Sequence, residues 1–466
     1  MRPVLLIDFG STYTKLTAVD LDVPQILGTS QAFTTAASDI TRGYDQALSQ
    51  LERQCGFFQY QSRLACSSAA GGLRMIACGL VPALTSKAAK LAAFGAGAKV
   101  IRSYAYGLTG DDLREIEDIK PDILLLSGGT DGGNSDVIIG NAHALSGVKG
   151  DFPIVVAGNR NAGERCREAL LKSGHPVYMA PNVMPEMNRL NTAPVQQVLR
   201  EVFLSRIIKA KGLDKANEIL DGILMPTPSA VMEALTLLAQ GTAKTRGLGE
   251  LVAVDLGGAT TDVYSIAKGD PTGSLVVVRG LQEPFVKRTV EGDIGMRYNA
   301  AGVLEAAGME KLRALCDLTT DQVETAIRLF HEDPSAIPQT PEDRALDVAL
   351  ASCALGTALS RHAGTLERVY TPAGPIDQQT GKDLRGVNRM IVTGGALIYA
   401  DNLPDIIKAA LKGQERTVLT PRSVKLMADK RYILSAMGLL MGIDPETALC
   451  LMMEFFGKED EYATVQ

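Results

Sequence analysis

The sequence predicts an α/β protein of two similar halves, with a smaller αβ unit inserted into the first half. Three observations lead to this prediction. A strand–turn–strand pattern built around Asp-x-Gly occurs twice, in VLLIDFGSTYTKLTAVD (residues 4–20) and in LVAVDLGGATTDVYSI (residues 251–266). Residues 105–222 alternate between short apolar runs and helical patterns, as doubly wound units do. A chain of 466 residues is also too long for one ordinary core.

The composition is that of a globular protein, because 46% of the residues are hydrophobic and 21% are charged. The net charge is −6 and no run is rich in Lys or Arg, so no nucleic-acid partner is expected. No apolar stretch reaches about 18 residues, so no membrane span is expected. The first apolar run is broken by Asp8, unlike a signal peptide. We therefore expect a cytoplasmic protein.

The cysteines and histidines form no metal-binding pattern. The seven cysteines include no CxxC pair, and none of the four histidines stands at ligand spacing from another histidine or a cysteine. An iron–sulfur cluster or a structural zinc site is therefore not expected. Scattered thiols fit a reducing compartment.

The first candidate site is the turn of the N-terminal hairpin. Val4–Ile7 and Thr14–Leu21 are predicted strands. The chain turns directly from strand to strand, whereas a P-loop or a dinucleotide-binding fingerprint needs a strand followed by a helix. Asp8 stands just before this turn, whose residues are Gly10, Ser11, Thr12 and Tyr13.

The second candidate site is the downstream copy of this pattern. An apolar run from Leu251 leads into Asp255, which occupies the same place as Asp8, and Asp262 follows the turn. An ordinary tight hairpin is the alternative interpretation of either motif alone. The repetition favours two similar halves that face each other across a cleft. The turn of the second copy consists of Gly257, Gly258, Ala259 and Thr260.

A third signal is the stretch RMIVTGGALIYADNLP. Met390–Thr393 reads as a strand, and Gly394 and Gly395 form a tight turn before a helix that begins near Leu403. Because glycine has no side chain, such a turn lets a ligand approach the backbone closely.

The predicted domain order is a first lobe at 1–104, an αβ insertion at 105–222, and residues 223–466, where a helix at Ser229–Gln240 completes the first lobe before the second lobe. The strands Arg63–Ser67 and Lys99–Ser103 are assigned to the first lobe. In the insertion, strands are predicted at Asp122–Ser127 and Ile154–Ala157.

The two hairpins together suggest a nucleotide site. Backbone N–H groups of a tight Gly/Ser/Thr turn can converge on phosphate oxygens. Carboxylates repel phosphate but hold Mg²⁺, often through its water ligands. Asp8, Asp255 and Asp262 fit this metal role, and Asp8 and Asp255 are the candidate catalytic residues. Two hairpins and one Mg²⁺ are then expected to grip a triphosphate, with the Gly394–Gly395 turn holding the nucleoside.

Taken in order, the three motifs resemble those of the actin, Hsp70 and sugar-kinase superfamily. LIDFGSTYTKL resembles its first phosphate motif, VAVDLGGATTDV its second, and IVTGGALI its adenosine motif. ILSAMGLLMG (residues 433–442) resembles the second connecting helix at the hinge. The resemblance implies a two-lobed actin-like ATPase with ribonuclease H-like lobes that binds ATP or ADP with Mg²⁺.

A closer resemblance is to the accessory proteins encoded with adenosylcobalamin-dependent glutamate mutase (methylaspartate mutase), the MutL or GlmL family. DILLLSGGTDGGN, PIVVAGNRNAGE, NVMPEMNRLN and KRTVEGDIGMRYN carry this resemblance. It implies a chaperone-like, ATP-dependent reactivating factor whose partners are the mutase subunits and which promotes exchange of damaged cobalamin. The sequence leaves open whether the chain forms a homodimer.

Two departures from the superfamily pattern bear on the rate of hydrolysis. Thr227 precedes Pro228 where a water-orienting carboxylate is expected, and Glu233 lies further along the same helix. Ile398 stands where a basic residue often stacks on the base. We therefore expect nucleotide binding with slow ATP hydrolysis. A small-molecule kinase of the sugar-kinase type and a filament-forming actin relative are the alternatives.

Two further motifs have two interpretations each. SGGTDGGN (residues 127–134) reads as an anion site or partner contact, with Asp131 reaching a metal, or as a sharp turn with Asn134 near a helix N-cap. EGDIGMR (residues 291–297) reads as a segment that faces the nucleotide or as the start of a helix.

Overall fold

The structure is a computed structural model that describes residues 1–35, 40–68, 73–210, 220–221, 223–273, 276–334, 336–372, 374–457 and 464–465. The chain divides into two compact units. Unit 1 comprises Met1–Ala234 and Ile433–Leu451, and unit 2 comprises Leu235–Tyr432 and Met452–Gln466. None of the helices in these described ranges is long and apolar enough to cross a membrane.

Unit 1 contains two five-stranded sheets. Its strands are β1 (Pro3–Phe9), β2 (Tyr13–Asp20), β3 (Gln25–Phe33), β4 (Ser62–Ser67), β5 (Leu73–Gly79), β6 (Ala98–Ala105), β7 (Ile123–Leu126), β8 (Ile154–Val156), β9 (Val177–Met179) and β10 (Ile223–Pro226). Its helices are Ile40–Cys55, Lys87–Gly95, Gly110–Ile119, Asp136–Leu145, Gly163–Leu171, Thr192–Ala210, Thr227–Gln240, Leu434–Leu440 and Pro445–Phe456, with a π-helical turn at Pro82–Ser86. The unit boundaries fall within the helices Thr227–Gln240 and Pro445–Phe456.

The first sheet of unit 1 has the order β10-β4-β1-β2-β3. β1 pairs antiparallel with β2 and β2 with β3, whereas β1 pairs parallel with β4 and β4 with β10. Every residue of β1 is buried, which explains why this strand reads as a continuous apolar run interrupted only by Asp8.

Unit 2 repeats this arrangement. Its main sheet has the order β14-β12-β11-β17-β18-β19, and a smaller sheet has the order β13-β16-β15. The strands are β11 (Leu251–Leu256), β12 (Thr261–Ile266), β13 (Val276–Arg279), β14 (Val286–Glu291), β15 (Thr365–Thr371), β16 (Gly374–Thr380), β17 (Arg389–Thr393), β18 (Val424–Ala428) and β19 (Thr464–Val465). The helices that lie wholly in unit 2 are Ala300–Ala307, Met309–Cys316, Thr320–Glu332, Pro341–His362, Gly395–Ile398 and Leu403–Lys412.

The five strands of the first sheet match five of the six strands in the main sheet of unit 2. β11 pairs antiparallel with β12 and β12 with β14, whereas β11 pairs parallel with β17 and β17 with β18. These are the pairings of β1, β2, β3, β4 and β10 in the first sheet. The prediction of two similar ribonuclease H-like halves in an α/β fold is therefore confirmed.

The second sheet of unit 1 is wholly parallel and has the order β6-β5-β7-β8-β9. This is the doubly wound 2-1-3-4-5 order. The assignment of Lys99–Ser103 to the first lobe is wrong, because β6 pairs with β5 in this inserted sheet. A strand–helix–strand pattern has the same sequence features in either sheet, so the sequence did not show whether this strand belongs to the first sheet or to the inserted one. We propose that the inserted unit begins near Leu73 rather than at residue 105.

The helix Leu434–Leu440 packs closely against the helix Thr227–Gln240. A Cβ atom on Gly438, in the helix Leu434–Leu440, would lie 1.9 Å from the carbonyl oxygen of Ala230. Glycine is therefore required for this approach to the helix Thr227–Gln240. In unit 2, the Ala-rich helix Pro341–His362 starts with a capping box between Thr340 and Asp343.

Candidate functional site

The turn of the first hairpin is tight and faces solvent. The backbone N–H of Gly10 donates to the carbonyl of Tyr13 over 3.1 Å. A Cβ atom on Gly10 would lie 2.6 Å from that carbonyl oxygen, so the turn requires glycine. Ser11 and Thr12 are exposed, and Tyr13 stacks on Phe33 with 4.7 Å between ring centroids. The four predicted turn residues thus lie together, with two polar side chains exposed to solvent.

Asp8 lies beneath this turn and is only 5% exposed. Thr227 Oγ1 donates to its Oδ1 over 2.6 Å, and Ser435 Oγ donates to its Oδ2 over 3.0 Å. The thiol of Cys66 lies 3.6 Å from Oδ1. Burial and the Asp8 carboxylate raise the pKa of the Cys66 thiol well above its usual value, so Cys66 stays protonated and can donate. Both carboxylate oxygens of Asp8 therefore have donors from within unit 1.

Lys15 was not predicted as a site residue, yet it lies directly opposite Asp8 in the β1–β2 pair. Its side chain is partly buried beside the hairpin turn. A lysine at this place supplies a positive charge where an anionic ligand is expected. The sequence feature that could have indicated Lys15 is its position in the second strand of the hairpin, seven residues after Asp8.

The second hairpin places two carboxylates side by side. Asp255 lies opposite Asp262 in the β11–β12 pair. Asp262 is bound by Arg288 of β14, whose Nε donates to Asp262 Oδ1 over 2.7 Å. The side chain of Arg288 is 3% exposed, so this ion pair is nearly out of water. Asp262, predicted as a metal ligand, thus already has a buried cationic partner.

The turn of the second hairpin is covered on one side by residues 291–299. The N–H groups of Met296, Arg297 and Tyr298 donate to the carbonyls of Gly257 and Gly258 at 2.8–3.0 Å. The side-chain amide of Asn299 donates to the carbonyl of Ala259. The segment EGDIGMR therefore packs against the hairpin, and the helix that begins at Ala300 follows it. In these contacts the turn contributes its backbone carbonyls as hydrogen-bond acceptors.

The Gly394–Gly395 turn lies against the end of β11. A Cβ atom on Gly394 would lie 2.2 Å from the carbonyl oxygen of Leu256, and Gly394 has a φ of 93°. Both features require glycine. Thr393, just before the turn, pairs in register with Asp255. The third motif and the second hairpin are therefore neighbours within unit 2.

Tyrosines adjoin the Gly394–Gly395 turn. A Cβ atom on Gly395 would lie 3.7 Å from Tyr432 Oη and 4.0 Å from the Tyr399 ring. Tyr399 is 68% exposed, whereas Ile398 is buried. Neither tyrosine was singled out from the sequence, and Tyr432, which follows the neighbouring strand β18, is distant from the turn along the chain.

The two residues considered for orienting water have other partners. Thr227 donates to Asp8, as described above. Glu233 pairs with Arg200 at 3.6 Å, with its side chain 30% exposed. The helix Thr227–Gln240 thus brings Thr227, but not the partnered carboxylate of Glu233, to the first hairpin.

The oxygen donors at the hairpins fit a metal that keeps most of its water. No group of three or more His, Cys, Asp or Glu that could hold a metal occurs in the described parts of the chain. A caged zinc or calcium site needs more protein ligands than this. Mg²⁺ is commonly held by one or two carboxylates together with phosphates and water. Asp8 and Asp255 stay the predicted metal ligands, and Asp262 is bound by Arg288.

The motif SGGTDGGN joins three loops of the inserted sheet. Asp131 Oδ1 accepts from the backbone N–H of Arg160 over 3.0 Å and from the amide of Asn182 over 2.9 Å. Asn159 donates to the carbonyls of Gly133 and Asn134. The contacts described for Asp131 are thus those of a structural bridge between the loops that follow β7, β8 and β9.

Two sheets that share an order of five strands, each with an Asp-x-Gly hairpin, define an actin-like α/β protein. The chain belongs to the MutL protein family, whose model matches residues 4–456. Protein MutL of Clostridium tetanomorphum is 47% identical over 464 residues, which cover 98% of this chain and 100% of that protein. The family named from the sequence motifs is thereby confirmed.

Solved structures also show similarity to this chain. The activator of the 2-hydroxyisocaproyl-CoA dehydratase from Clostridium difficile with bound ADPNP is 8% identical, with a TM-score of 0.34, and the match covers 100% of this chain and 99% of that one. The xylulose kinase of Bifidobacterium adolescentis is 13% identical, with a TM-score of 0.32 and coverage of 96% and 93%. The acetate kinase of Porphyromonas gingivalis is 10% identical, with a TM-score of 0.31 and coverage of 95% and 100%.

Proposed function

We propose that this chain binds ATP and ADP with Mg²⁺ through its two hairpins and acts as an ATP-dependent reactivating factor for an adenosylcobalamin-dependent glutamate mutase. The nucleotide part rests chiefly on one observation, the Asp-x-Gly hairpin that recurs at equivalent places in two sheets of the same order. The mutase part is supported by membership of the MutL family.

In this proposal, the hairpin turns bind phosphate oxygens through backbone N–H groups, at 10–13 in unit 1 and at 257–260 in unit 2. Asp8 and Asp255 hold the water shell of Mg²⁺, which neutralises charge on the phosphates when bound. Lys15 adds a positive charge beside the first turn. The Gly394–Gly395 turn accommodates the nucleoside.

The expected rate of hydrolysis is low. Positioning of the attacking water carries much of the catalysis in phosphoryl transfer. The hydroxyl proton of Thr227 is already donated to Asp8, and Glu233 is paired with Arg200. We therefore propose a slow ATPase whose bound nucleotide sets a conformational state.

The inserted unit is the proposed contact for the mutase. SGGTDGGN, AGNRN and PNVMPEMN all follow strands of this one parallel sheet, and Asp131, Asn159 and Asn182 join their loops. The three loops therefore lie together at the carboxyl ends of the parallel strands. A ligand shifts an equilibrium only through differential affinity, so the mutase should bind the ADP and ATP states unequally.

A reactivation assay tests the proposal. Mutase carrying inactive cobalamin should regain activity when given this protein, ATP, Mg²⁺ and fresh adenosylcobalamin. Asp8→Ala and Asp255→Ala should fail to restore activity, whereas Asp45→Ala, which removes an exposed carboxylate from the helix Ile40–Cys55, should succeed. Equal reactivation without nucleotide would refute the ATP-driven exchange. Phosphorylation of a small metabolite would support the kinase alternative, and polymerisation on addition of ATP would support the filament alternative.

A further inference from the structure

The hydroxyl groups around Asp8 come from distant parts of the chain. Thr227 opens the helix Thr227–Gln240 and lies 219 positions from Asp8. Ser435 lies in the helix Leu434–Leu440, 427 positions from Asp8. Each hydroxyl binds a different oxygen of the same carboxylate, so the pair grips the group from two sides. We call Thr227 and Ser435 the hydroxyl clasp.

The shorter of the two hydrogen bonds has the length of a charge-assisted one. Hydroxyl-to-carboxylate bonds of this kind measure about 2.5–2.7 Å, and Thr227 Oγ1 lies 2.6 Å from Asp8 Oδ1. Thr227 has one hydroxyl proton, and this contact uses it, although Cys66 Sγ also lies 3.7 Å from Oγ1. Thr227 therefore has no proton left to donate to a water molecule.

The clasp limits what Asp8 can bind. An ionised carboxylate offers about four acceptor positions. The hydroxyls of Thr227 and Ser435 occupy one position on each oxygen, and the Cys66 thiol lies beside Oδ1. At most one acceptor position on each oxygen remains, and these positions suit the water molecules of a hydrated metal.

We propose that Thr227 and Ser435 are positioning residues, which fix the Asp8 carboxylate so that its remaining acceptor positions hold the water shell of a nucleotide-bound Mg²⁺. In this role Thr227 acts through Asp8 and not on the attacking water. The inference rests on the proposed nucleotide site. It goes further by assigning a role to the hydroxyls of Thr227 and Ser435.

Titration calorimetry of the full chain with ADP, with and without Mg²⁺, tests the clasp. Thr227→Val keeps the side-chain shape but removes the donor. It should weaken binding of Mg-ADP about tenfold, the scale of one lost hydrogen bond to a charged group, while binding of metal-free ADP stays at the wild-type value. Ser435→Ala should behave in the same way. Thr227→Ser, which keeps the hydroxyl, should stay within about twofold of wild type.

The outcomes separate positioning from mere stability. If Thr227→Val and Ser435→Ala lower the thermal midpoint but keep the wild-type ratio of Mg-ADP to ADP affinity, the hydroxyls only satisfy a buried acid and the inference is wrong. Should Thr227→Val fail to fold, Ser435→Ala alone decides, because it removes the donor to the other oxygen. A wild-type chain that binds neither ADP nor ATP would instead overturn the proposed function.

Discussion

Asp255 lies directly opposite Asp262 in the β11–β12 pair. Like charges at directly opposed positions destabilise a sheet. Arg288, from the neighbouring strand β14, binds Asp262 and is almost wholly buried. The two carboxylates, which look alike in the sequence, are therefore inequivalent. Asp262 belongs to an internal ion pair, whereas the metal role of Asp255 stays a prediction.

Removal of Arg288 should destabilise the protein strongly. Arg288→Met leaves Asp262 buried without a cation, and breaking such a pair costs about 3–5 kcal/mol. Urea unfolding measures this loss. Arg368→Met is the matched control, since it breaks another cross-strand Arg–Asp pair, the one between Arg368 and Asp377. The side chain of Arg368 is 65% exposed. That control should cost at most about 1 kcal/mol. If adding Asp262→Asn to Arg288→Met restores stability, the buried ion pair between Arg288 and Asp262 is supported. Equal losses of stability in Arg288→Met and Arg368→Met would contradict it.

Gly257→Val should abolish nucleotide binding in a folded protein. A Cβ atom on Gly257 would lie 3.1 Å from the carbonyl oxygen of Thr260, so the turn has to move by a few tenths of an ångström to admit it. The branched side chain would then stand where phosphate is proposed to approach. Titration calorimetry with Mg-ATP measures the loss. In Gly140→Val, the new Cβ on a helix of the inserted unit meets nothing within 4 Å, and binding should be unchanged. Wild-type affinity in Gly257→Val would remove the proposed phosphate site.

The partner-free ATPase should turn over below about 1 s⁻¹, the lower end of ordinary enzyme rates. Thr227 and Glu233 both have other partners, so neither holds the attacking water well. Glu233→Gln should therefore change the rate by less than about twofold, as measured by release of inorganic phosphate. Fast basal turnover would show that some group orients the attacking water, and loss of activity in Glu233→Gln would identify Glu233 as that group.

Stability should fall in mild acid because of His362. This histidine is fully buried, with Ser265 Oγ 2.8 Å from Nε2 and Thr289 Oγ1 2.8 Å from Nδ1. Burial, together with the charges of Lys287 and Lys382, holds the pKa of His362 well below its usual value of 6.5. Above about pH 6.5, neither the folded nor the unfolded state binds this proton, and stability is complete. Below that pH, only the unfolded state takes up the proton, so the free energy of unfolding falls by up to about 1.4 kcal/mol per pH unit.

Urea unfolding between pH 7.5 and 5.5 measures this dependence. His362→Gln keeps a hydrogen-bonding group but does not titrate, so its stability should change less steeply with acidification. His143→Gln, at an exposed position, should follow the wild-type curve. Parallel curves for wild type and His362→Gln would show that other groups dominate the acid response.

Local patterns allowed the two hairpins and the Gly394–Gly395 turn to be predicted. Each is formed within about ten residues, and the requirement for glycine at Gly10 and Gly394 follows from close backbone contacts. The repeated sheet was predicted because the same local unit occurs twice in the sequence. The nucleotide and metal roles of these residues remain predictions that the binding experiments above examine.

Long-range contacts could not be predicted in the same way. Thr227 and Ser435 reach Asp8 only after the sheet and two helices have assembled. Arg288 meets Asp262 through the pairing of β12 with β14, which the sequence does not specify. The strand β6 was assigned to the wrong sheet because its periodicity carries no information about its neighbour.

The place where the inserted unit joins the first sheet has a consequence for the order of folding. β4 and β10 are adjacent and parallel, yet they are far apart in the chain. Arg63 of β4 donates its backbone N–H to the side chain of Asp221, which lies 158 positions away. The first sheet cannot be completed until β10 has left the ribosome. The inserted unit has its own parallel sheet and core. Because synthesis proceeds from the N-terminus, this unit can fold before β10 has been made. Once folded, it brings the two strands together without closing a long flexible loop, so its early formation should speed assembly of the lobe around it.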